Sequence, residues 1–493
     1  MIIYQIRMRS WLRLGFCVTI FSATFIISLW LSWRAETHSS TVLTDGDLMI
    51  RLMLIPSLTA ALAFAFCSSA KSAPSSAETS TSAMSSGQKK PYVAQVVGVQ
   101  WLNPLQRKDY PTEWQLLRII GLAEPNKNDD MVKSEPELFL GIQPILAIAS
   151  GNNGTRSFTG YFSGYIDDLI SPFRDIYFSD SKYFYNAHSL KDKSTRRELA
   201  GIRVEHALPE GKLVPDEATA IIQESIVGSF DIGNPHFPRS WTRPTPPDIH
   251  LTMGGANAGF TSLARGLSYL EANPSQTVWV MNWDAPSYPP KDNQINENMV
   301  LLVLAGPDYK TERAPLAWLS HPAVTNVEDF NSDPDQPPRT VQAWKAVFGK
   351  AIRNAGKQTA DIGFVIHDAN KSHLNSSNRL AHLARTVTEE MPALDFMVDT
   401  FNTPSVLGNM GAGTALTNVA LAIAYANHVG KSVLVAGTTE ESQLTATVVA
   451  PPTVVRPINP DKPWFRARSG SHTYLAWWGA RHDADLILQG YSR

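Results

Sequence analysis

The sequence predicts an α/β body that follows one or two membrane-spanning helices. Three observations support this prediction. Strand-like and helix-like runs alternate after about residue 248, a unit of glycine turn, helix and strand occurs twice, and the first 70 residues contain two uncharged apolar stretches. Alternating strands and helices are typical of a parallel or mixed sheet that is covered by helices.

The composition limits the classes of function. The chain has 493 residues, of which 43% are hydrophobic and 18% charged, as in a folded protein of one large or two medium domains. The formal net charge is −2 and no segment carries a stripe of Lys and Arg, so we predict no nucleic-acid partner. The two cysteines, Cys17 and Cys67, lie in the apolar N-terminal stretches and provide no disulfide framework.

The segment 1–70 is predicted to lie in or at a membrane. Residues 14–33 carry no charge and are long enough to cross the bilayer as a helix. Residues 52–70 form a second uncharged run, which predicts either a second span or, if translation starts at Met49, a secretory signal that is cleaved near residue 70.

The distribution of basic residues predicts which side of the membrane the body occupies. Arg7, Arg9 and Arg13 precede the first run, and Lys71, Lys89 and Lys90 follow the second. The positive-inside bias then predicts an inner-membrane anchor with a cytoplasmic body, whereas signal cleavage would give a periplasmic one. Residues 71–91 are rich in Ser and Ala and are predicted to form a flexible tether.

The body is predicted to begin near Tyr92 with a strand over 92–99 and a helix over 113–122. Residues 151–190 are rich in aromatic side chains and loop-like. We interpret them as an insertion that forms an interaction surface or, alternatively, as a loop whose aromatic residues fold back onto the core. After a short strand at Ile249, strands are predicted over 277–283, 300–306, 362–367, 394–399, 433–437 and 444–449, and helices over 259–272, 341–354, 377–389 and 414–428.

An internal repeat organises this pattern. A glycine-rich turn opens a helix at Ala258 in the first copy and at Ala412 in the second, 154 residues later, and each helix leads into a strand. The repeat predicts a pseudo-twofold body with halves over 92–300 and 301–493, in which both helix N-termini meet near the middle.

A glycine turn before a helix directs backbone N–H groups and the positive end of the helix dipole at one point, where they can stabilise an oxyanion. Residues 255–259 also have the spacing of the elbow that presents a serine in hydrolases. The central residue is Asn257, and an amide cannot attack a carbonyl carbon.

Residues 253–285 resemble the active-site cysteine turn, helix and strand of β-ketoacyl synthases and thiolases, and residues 407–437 resemble their C-terminal Gly-His turn. Residues 355–370 resemble the start of their second sheet. The resemblance implies a thiolase-like α/β/α layered body. It also places the nucleophilic cysteine at Ala256 beside Asn257 and the histidine at Gly408 or Asn409, so that these four positions form a degenerate site. The family's other histidine would fall within 399–404, where none occurs. The resemblance therefore implies no catalytic residue and no cofactor.

From about residue 90 onwards, the chain resembles the bacterial type VI secretion lipase adaptors, on residues 92–122 together with the membrane segments before them. This resemblance implies a non-catalytic adaptor whose partners are a phospholipase effector and a spike protein. The thiolase-like fold further implies a homodimer that pairs along strand 277–283.

Two alternatives remain at the sequence level. The first is an acyl-transfer or ester-hydrolysing enzyme with Ser262 or Ser405 as nucleophile and His367 as base. The second is a pseudoenzyme that retains an acyl or coenzyme A ligand. No HxxxH, HExxH or Cys/His cluster occurs, so we predict no metal site.

Overall fold

The computed structural model describes residues 91–102, 120–121, ten residues between 158 and 170, 202–230, 247–285, 298–310, 314–369, 376–439 and 442–455. All of them lie in one unit, Lys89–Arg493. The predicted membrane helices 14–33 and 52–70, the tether and most of the predicted helix 113–122 lie outside these residues. Within the described part of the chain, no helix combines the length and apolar character needed to span a bilayer.

The described strands form one eleven-stranded sheet. Its order is β3-β2-β4-β5-β1-β6-β11-β10-β8-β9, and β7 pairs separately with β11. The strands are β1 (Val93–Leu102), β2 (Arg203–Leu208), β3 (Asp248–Met253), β4 (Thr277–Asp284), β5 (Asn298–Ala305), β6 (Ala317–Ser320), β7 (Ala323–Asn326), β8 (Ile362–His367), β9 (Thr400–Asn402), β10 (Ser432–Gly437) and β11 (Gln443–Ala450).

The sheet consists of two repeats with the same pairing pattern. In the first, β2 pairs in parallel with β3 and β4, and β4 pairs antiparallel with β5. In the second, β8 pairs in parallel with β9 and β10, and β10 pairs antiparallel with β11. The predicted duplication is therefore confirmed. The boundary predicted after residue 300 is wrong, because it cuts β5, which pairs with β1 and β4 of the first repeat.

Among the described residues, five helices of fifteen or sixteen residues cover the sheet. They are α1 (Pro215–Phe230), α2 (Ala258–Ala272), α3 (Arg339–Asn354), α4 (Ser376–Glu390) and α5 (Thr414–Val429). α2 buries Leu263, Leu267 and Leu270, which recur at the spacing of one helix face. α5 is rich in alanine and buried on nearly all sides, because it packs with α2 in a core formed by both halves of the sheet.

The outer faces of the two halves carry separate cores. α1 and the helical residues between 158 and 170 pack on the first half, where Phe162 and Trp283 contact each other edge to face at 5.1 Å between ring centroids. α3 and α4 pack on the second half around Trp344 and Phe348. Each half of the sheet is thus covered by helices on both faces, as the mixed α/β prediction requires.

The described part of the insertion 151–190 forms part of the core. Phe162, Ile166 and Leu169 are helical and fully buried. The alternative that the aromatic residues fold back onto the core is therefore confirmed for Phe162, and the interpretation as an interaction surface is wrong for these three buried residues.

Two further predictions are corrected. Residues 394–399 form turns and not a strand, because Asp395 and Asp399 accept hydrogen bonds from nearby backbone N–H groups, and the strand begins at Thr400. Strand 277–283 cannot pair with a second copy, because β4 lies between β2 and β5 and all its residues are buried. Among the described strands, β3 and β9 are the ends of the sheet.

The buried His206 predicts a pH dependence of stability. Its ring stacks on Phe162, and burial lowers its pKa from 6.5 to about 4. The folded protein therefore keeps His206 neutral at pH 5, whereas the unfolded chain binds a proton. The stabilisation is complete above pH 6.5 and is lost as the pH falls towards 4. From pH 7 to pH 5 we expect His206 to account for a loss of roughly 2 kcal/mol in the free energy of unfolding.

Urea unfolding followed by tryptophan fluorescence at both pH values measures this loss. His206→Phe should reduce the pH dependence by that amount. Equal pH dependence in the wild type and His206→Phe would contradict the prediction.

Candidate functional site

The N-termini of α2 and α5 meet, as the repeat predicts. The α carbon of Gly259 lies so near α5 that an added Cβ would be 2.9 Å from the Cβ of Ala415. Only glycine permits this approach without displacing α5. The turns before the two helices follow the carboxyl ends of parallel strands β3 and β9, where α/β proteins commonly bind ligands.

The turn before α2 contains Ala256 and Asn257, and both are buried. Ala256 offers only a methyl group. The Asn257 amide donates a weak 3.4 Å hydrogen bond to the Gln443 carbonyl, and its Oδ1 lies 2.7 Å from the point where a Cβ on Gly437 would stand. The side chain therefore packs against the second repeat and acts as a spacer between the two halves.

The turn before α5 contains Gly408 and Asn409. Gly408 has a φ of 74°, which glycine adopts without strain, and it ends the helical turn Pro404–Leu407. The Oδ1 atom of Asn409 accepts a hydrogen bond from the Gly411 N–H at 3.0 Å. Both residues thus shape the backbone of the turn.

A carboxylate of the protein occupies the N-terminal end of α5. Asp284, at the end of β4, accepts a hydrogen bond from the Ala412 N–H at 2.9 Å through Oδ2. Its Oδ1 accepts from the Ala285 N–H at 2.8 Å and from the Lys212 ammonium at 2.6 Å. Burial raises the pKa of Asp284, while Lys212 and the two backbone N–H groups act in the opposite direction. The Ala412 N–H, which could otherwise stabilise an oxyanion at this point, is therefore already bound to a side chain of the protein.

Two asparagines fix the same turn from the sheet. Asn282 donates to the Gly413 carbonyl at 2.6 Å and accepts from the Val300 N–H at 3.0 Å. Asn298 donates to the Met410 carbonyl at 3.3 Å. Sequence reasoning missed Asp284 and both asparagines. The polar residues Asn282 and Asp284 inside the otherwise apolar β4 were a signal that this strand makes polar contacts with a neighbouring element, whereas Asn298 begins β5.

A second buried carboxylate lies at the end of β8. Asp368 accepts hydrogen bonds from the Thr438 N–H, from the Thr438 hydroxyl at 2.8 Å and from the Thr439 hydroxyl at 2.7 Å. Burial raises its pKa, and these donors oppose the rise. Arg379 of α4 donates to the Thr439 carbonyl at 2.8 Å. The cluster ties the ends of β8 and β10 together.

The residues of the predicted alternative enzyme are not assembled into a dyad. Ser262 is fully buried on α2, and the exposed Ser405 donates to the Asn402 carbonyl at 2.6 Å. His367 is buried, its Nδ1 accepts from the Ala369 N–H at 3.3 Å, and burial lowers its pKa to about 4. Within the described residues, no hydrogen bond joins His367 to either serine, and no three His, Cys, Asp or Glu side chains are grouped to hold a metal ion.

Comparison with known proteins finds a family match in the second repeat. Residues 316–451 match the family model of the type VI lipase adapter protein Tla3, C-terminal. The segment runs from just before β6 to just after β11 and includes the turn and N-terminus of α5. The family resemblance inferred from the sequence is thereby confirmed for this part of the chain. None of the curated proteins matches the chain.

Several solved structures are similar to the chain at low identity. The oxazolomycin ketosynthase domain of Streptomyces albus JA3453 is 13% identical, with a TM-score of 0.43, over 76% of this chain and 99% of that one. The ketosynthase from module 6 of the bacillaene synthase of Bacillus subtilis 168 is 11% identical, with a TM-score of 0.43, over 73% of this chain and 72% of that one. Human mitochondrial 3-ketoacyl-CoA thiolase is 9% identical, with a TM-score of 0.40, over 74% of this chain and 99% of that one.

Proposed function

We propose that this protein is a non-catalytic adaptor that binds a lipase effector of a type VI secretion system and helps to load it onto the secretion spike. The match of residues 316–451 to the lipase adapter family carries this proposal. The matched segment is a complete structural repeat, so the adaptor function is assigned to a folded unit and not to a short motif.

The geometry of the paired helix N-termini supports the absence of catalysis. Acyl transfer by a thiolase-type mechanism needs a nucleophile and a proton-transfer group beside an oxyanion site. Here Ala256 and Asn257 stand in one turn, Gly408 and Asn409 in the other, and the carboxylate of Asp284 accepts the Ala412 N–H. A negatively charged or strongly polar acceptor at that N–H competes with an oxyanion of the substrate.

The anchoring is part of the same proposal. Helices over 14–33 and 52–70 would hold the body at the inner membrane, on the cytoplasmic side where an effector is loaded before secretion. Protease treatment of spheroplasts with a tagged C-terminus tests this placement. Protection of the tag supports a cytoplasmic body, and digestion of the tag would support cleavage of a signal near residue 70. A homodimer stays a prediction that light scattering of the purified protein tests.

The non-catalytic character is tested by incubating the purified protein with acyl-thioester and ester substrates and with a serine-reactive probe. We expect no turnover above the buffer rate and no labelling of Ser262 or Ser405. Ser262→Ala and Ser405→Ala are the matched controls. Turnover or labelling that disappears in either variant would establish the alternative enzyme and refute this part of the proposal.

The adaptor function is tested by secretion. Deletion of the protein should abolish delivery of the lipase while leaving another type VI effector unaffected, and the full chain should restore delivery. An unchanged level of secreted lipase in the deletion strain would contradict the proposal.

A further inference from the structure

A loop in the second repeat presents two large apolar side chains to solvent. Met397 and Val398 follow α4, and 86% and 71% of their surfaces are exposed. The preceding Pro392 and Ala393 are exposed as well. Adjacent exposed side chains of this size are uncommon on a protein surface unless they form a contact with a partner.

The loop is held in one conformation by its own hydrogen bonds. The Asp395 side chain accepts from the Met397 N–H at 2.8 Å, and the Asp399 side chain accepts from the Asp395 N–H at 2.9 Å. The N–H groups of Val398 and Asp399 both donate to the Asp395 carbonyl, at 3.0 and 2.7 Å. The backbone at Met397 and Val398 is therefore ordered before a partner binds, which lowers the entropic cost of association.

The core anchors the base of the loop. Met391 is buried, and Leu394 and Phe396 pack against the core of α3 and α4. The ring of Phe396 stacks on the buried His367 at 5.9 Å between centroids. Met391, Leu394 and Phe396 thus contact the core, while the adjacent Met397 and Val398 project outwards.

The charges around the exposed pair restrict the kind of partner. Asp395 and Asp399 flank the pair, while Glu389 and Glu390 of α4 are paired with Lys345. The carboxylates of the loop disfavour an anionic membrane surface and disfavour the same loop of a second copy. They favour a protein whose apolar pocket is bordered by Lys or Arg.

We propose that Met397 and Val398 form the contact with the lipase effector, and that they insert into an apolar pocket with a basic rim on that effector. This inference rests on the proposed adaptor function and assigns it a surface. It also moves the expected contact away from residues 158–170, where Phe162 is fully buried and Phe158 is partly buried.

The test measures the affinity of the full-length protein, in detergent, for the purified type VI lipase of the same organism. We expect Met397→Asp and Val398→Asp each to raise the Kd at least about tenfold, since a central apolar contact commonly contributes that much. Binding of the wild type should also weaken as the salt concentration rises, because the carboxylates of the loop favour a basic rim on the partner. Val214→Asp is the matched control, because Val214 is 54% exposed and lies in the first repeat. It should bind as the wild type does.

The outcomes separate this inference from the proposed function. If the wild type does not bind the lipase, the adaptor function itself fails. If the wild type binds and both aspartate variants bind equally well with unchanged thermal midpoints, the adaptor function stands and this surface is wrong. Binding of the loop to anionic vesicles, or a dimer that Met397→Asp dissolves, would also overturn the inference. A photo-crosslinker placed at position 397 should capture the lipase, and one at position 214 should not.

Discussion

Gly413→Ala should lower the free energy of unfolding by about 3 kcal/mol or more, one of the largest losses that a single methyl group can cause in this protein. A Cβ at this position would lie 1.6 Å from Oδ1 of Asn298, so the asparagine would have to move. Its movement would break the hydrogen bond to the Met410 carbonyl and leave buried polar atoms without a partner. Urea unfolding at neutral pH measures the loss.

Two controls make this expectation specific. Gly228 lies in α1, and no atom lies within 4 Å of the place where a Cβ would stand. Gly228→Ala should therefore stabilise the protein by about 0.5–1 kcal/mol. In an Asn298→Ala background, Gly413→Ala should cost far less than in the wild type, because the obstructing amide is gone. Additive losses in the double variant would show that the contact with Asn298 is not the cause.

Asp284→Ala should cost about 3 kcal/mol and should release the turn before α5. The substitution leaves the Ala412 N–H without its acceptor and removes one of the two acceptors of the Lys212 ammonium, which keeps only the Ala285 carbonyl. Breaking a buried ion pair from one side is strongly destabilising. Hydrogen exchange at Ala412 should also become faster, which reports the turn directly.

The control for Asp284 is Asp248→Ala. Asp248 accepts hydrogen bonds from Arg203 and His250, but 59% of its side chain is exposed. Its removal should cost less than about 1 kcal/mol, because exposed ion pairs contribute little. Asp284→Asn keeps an acceptor for Ala412 and should fall between the two. Equal losses for Asp284→Ala and Asp248→Ala would contradict the assignment of Asp284 as the buried acceptor that holds the turn before α5.

The repeat was predictable because its signal is local. The spacing from Ala258 to Ala272 equals that from Ala412 to Ala426, and both strands that follow are apolar, so β4 and β10 were located to within one residue. The meeting of the two helices was also predictable, since small residues at both N-termini allow close approach. Gly259 and Ala415 confirm it.

The features that the sequence did not predict depend mainly on contacts between residues far apart in the chain. Asp284 and Ala412 are separated by 128 residues, and no local pattern shows that one accepts the N–H of the other. The stretch 394–399 has apolar residues typical of a strand, but the side chains of Asp395 and Asp399 bind the backbone and favour turns. The exposure of Met397 and Val398 follows from the turn that these side-chain hydrogen bonds form, and hydropathy did not predict it.

Calorimetric titration of the purified type VI lipase into the full-length protein tests the adaptor function most directly. The account predicts saturable binding with a Kd of about 1 µM or tighter, without any turnover of acyl esters beyond that of the lipase alone. A folded lipase that gives no saturable heat at concentrations of about 100 µM would contradict it.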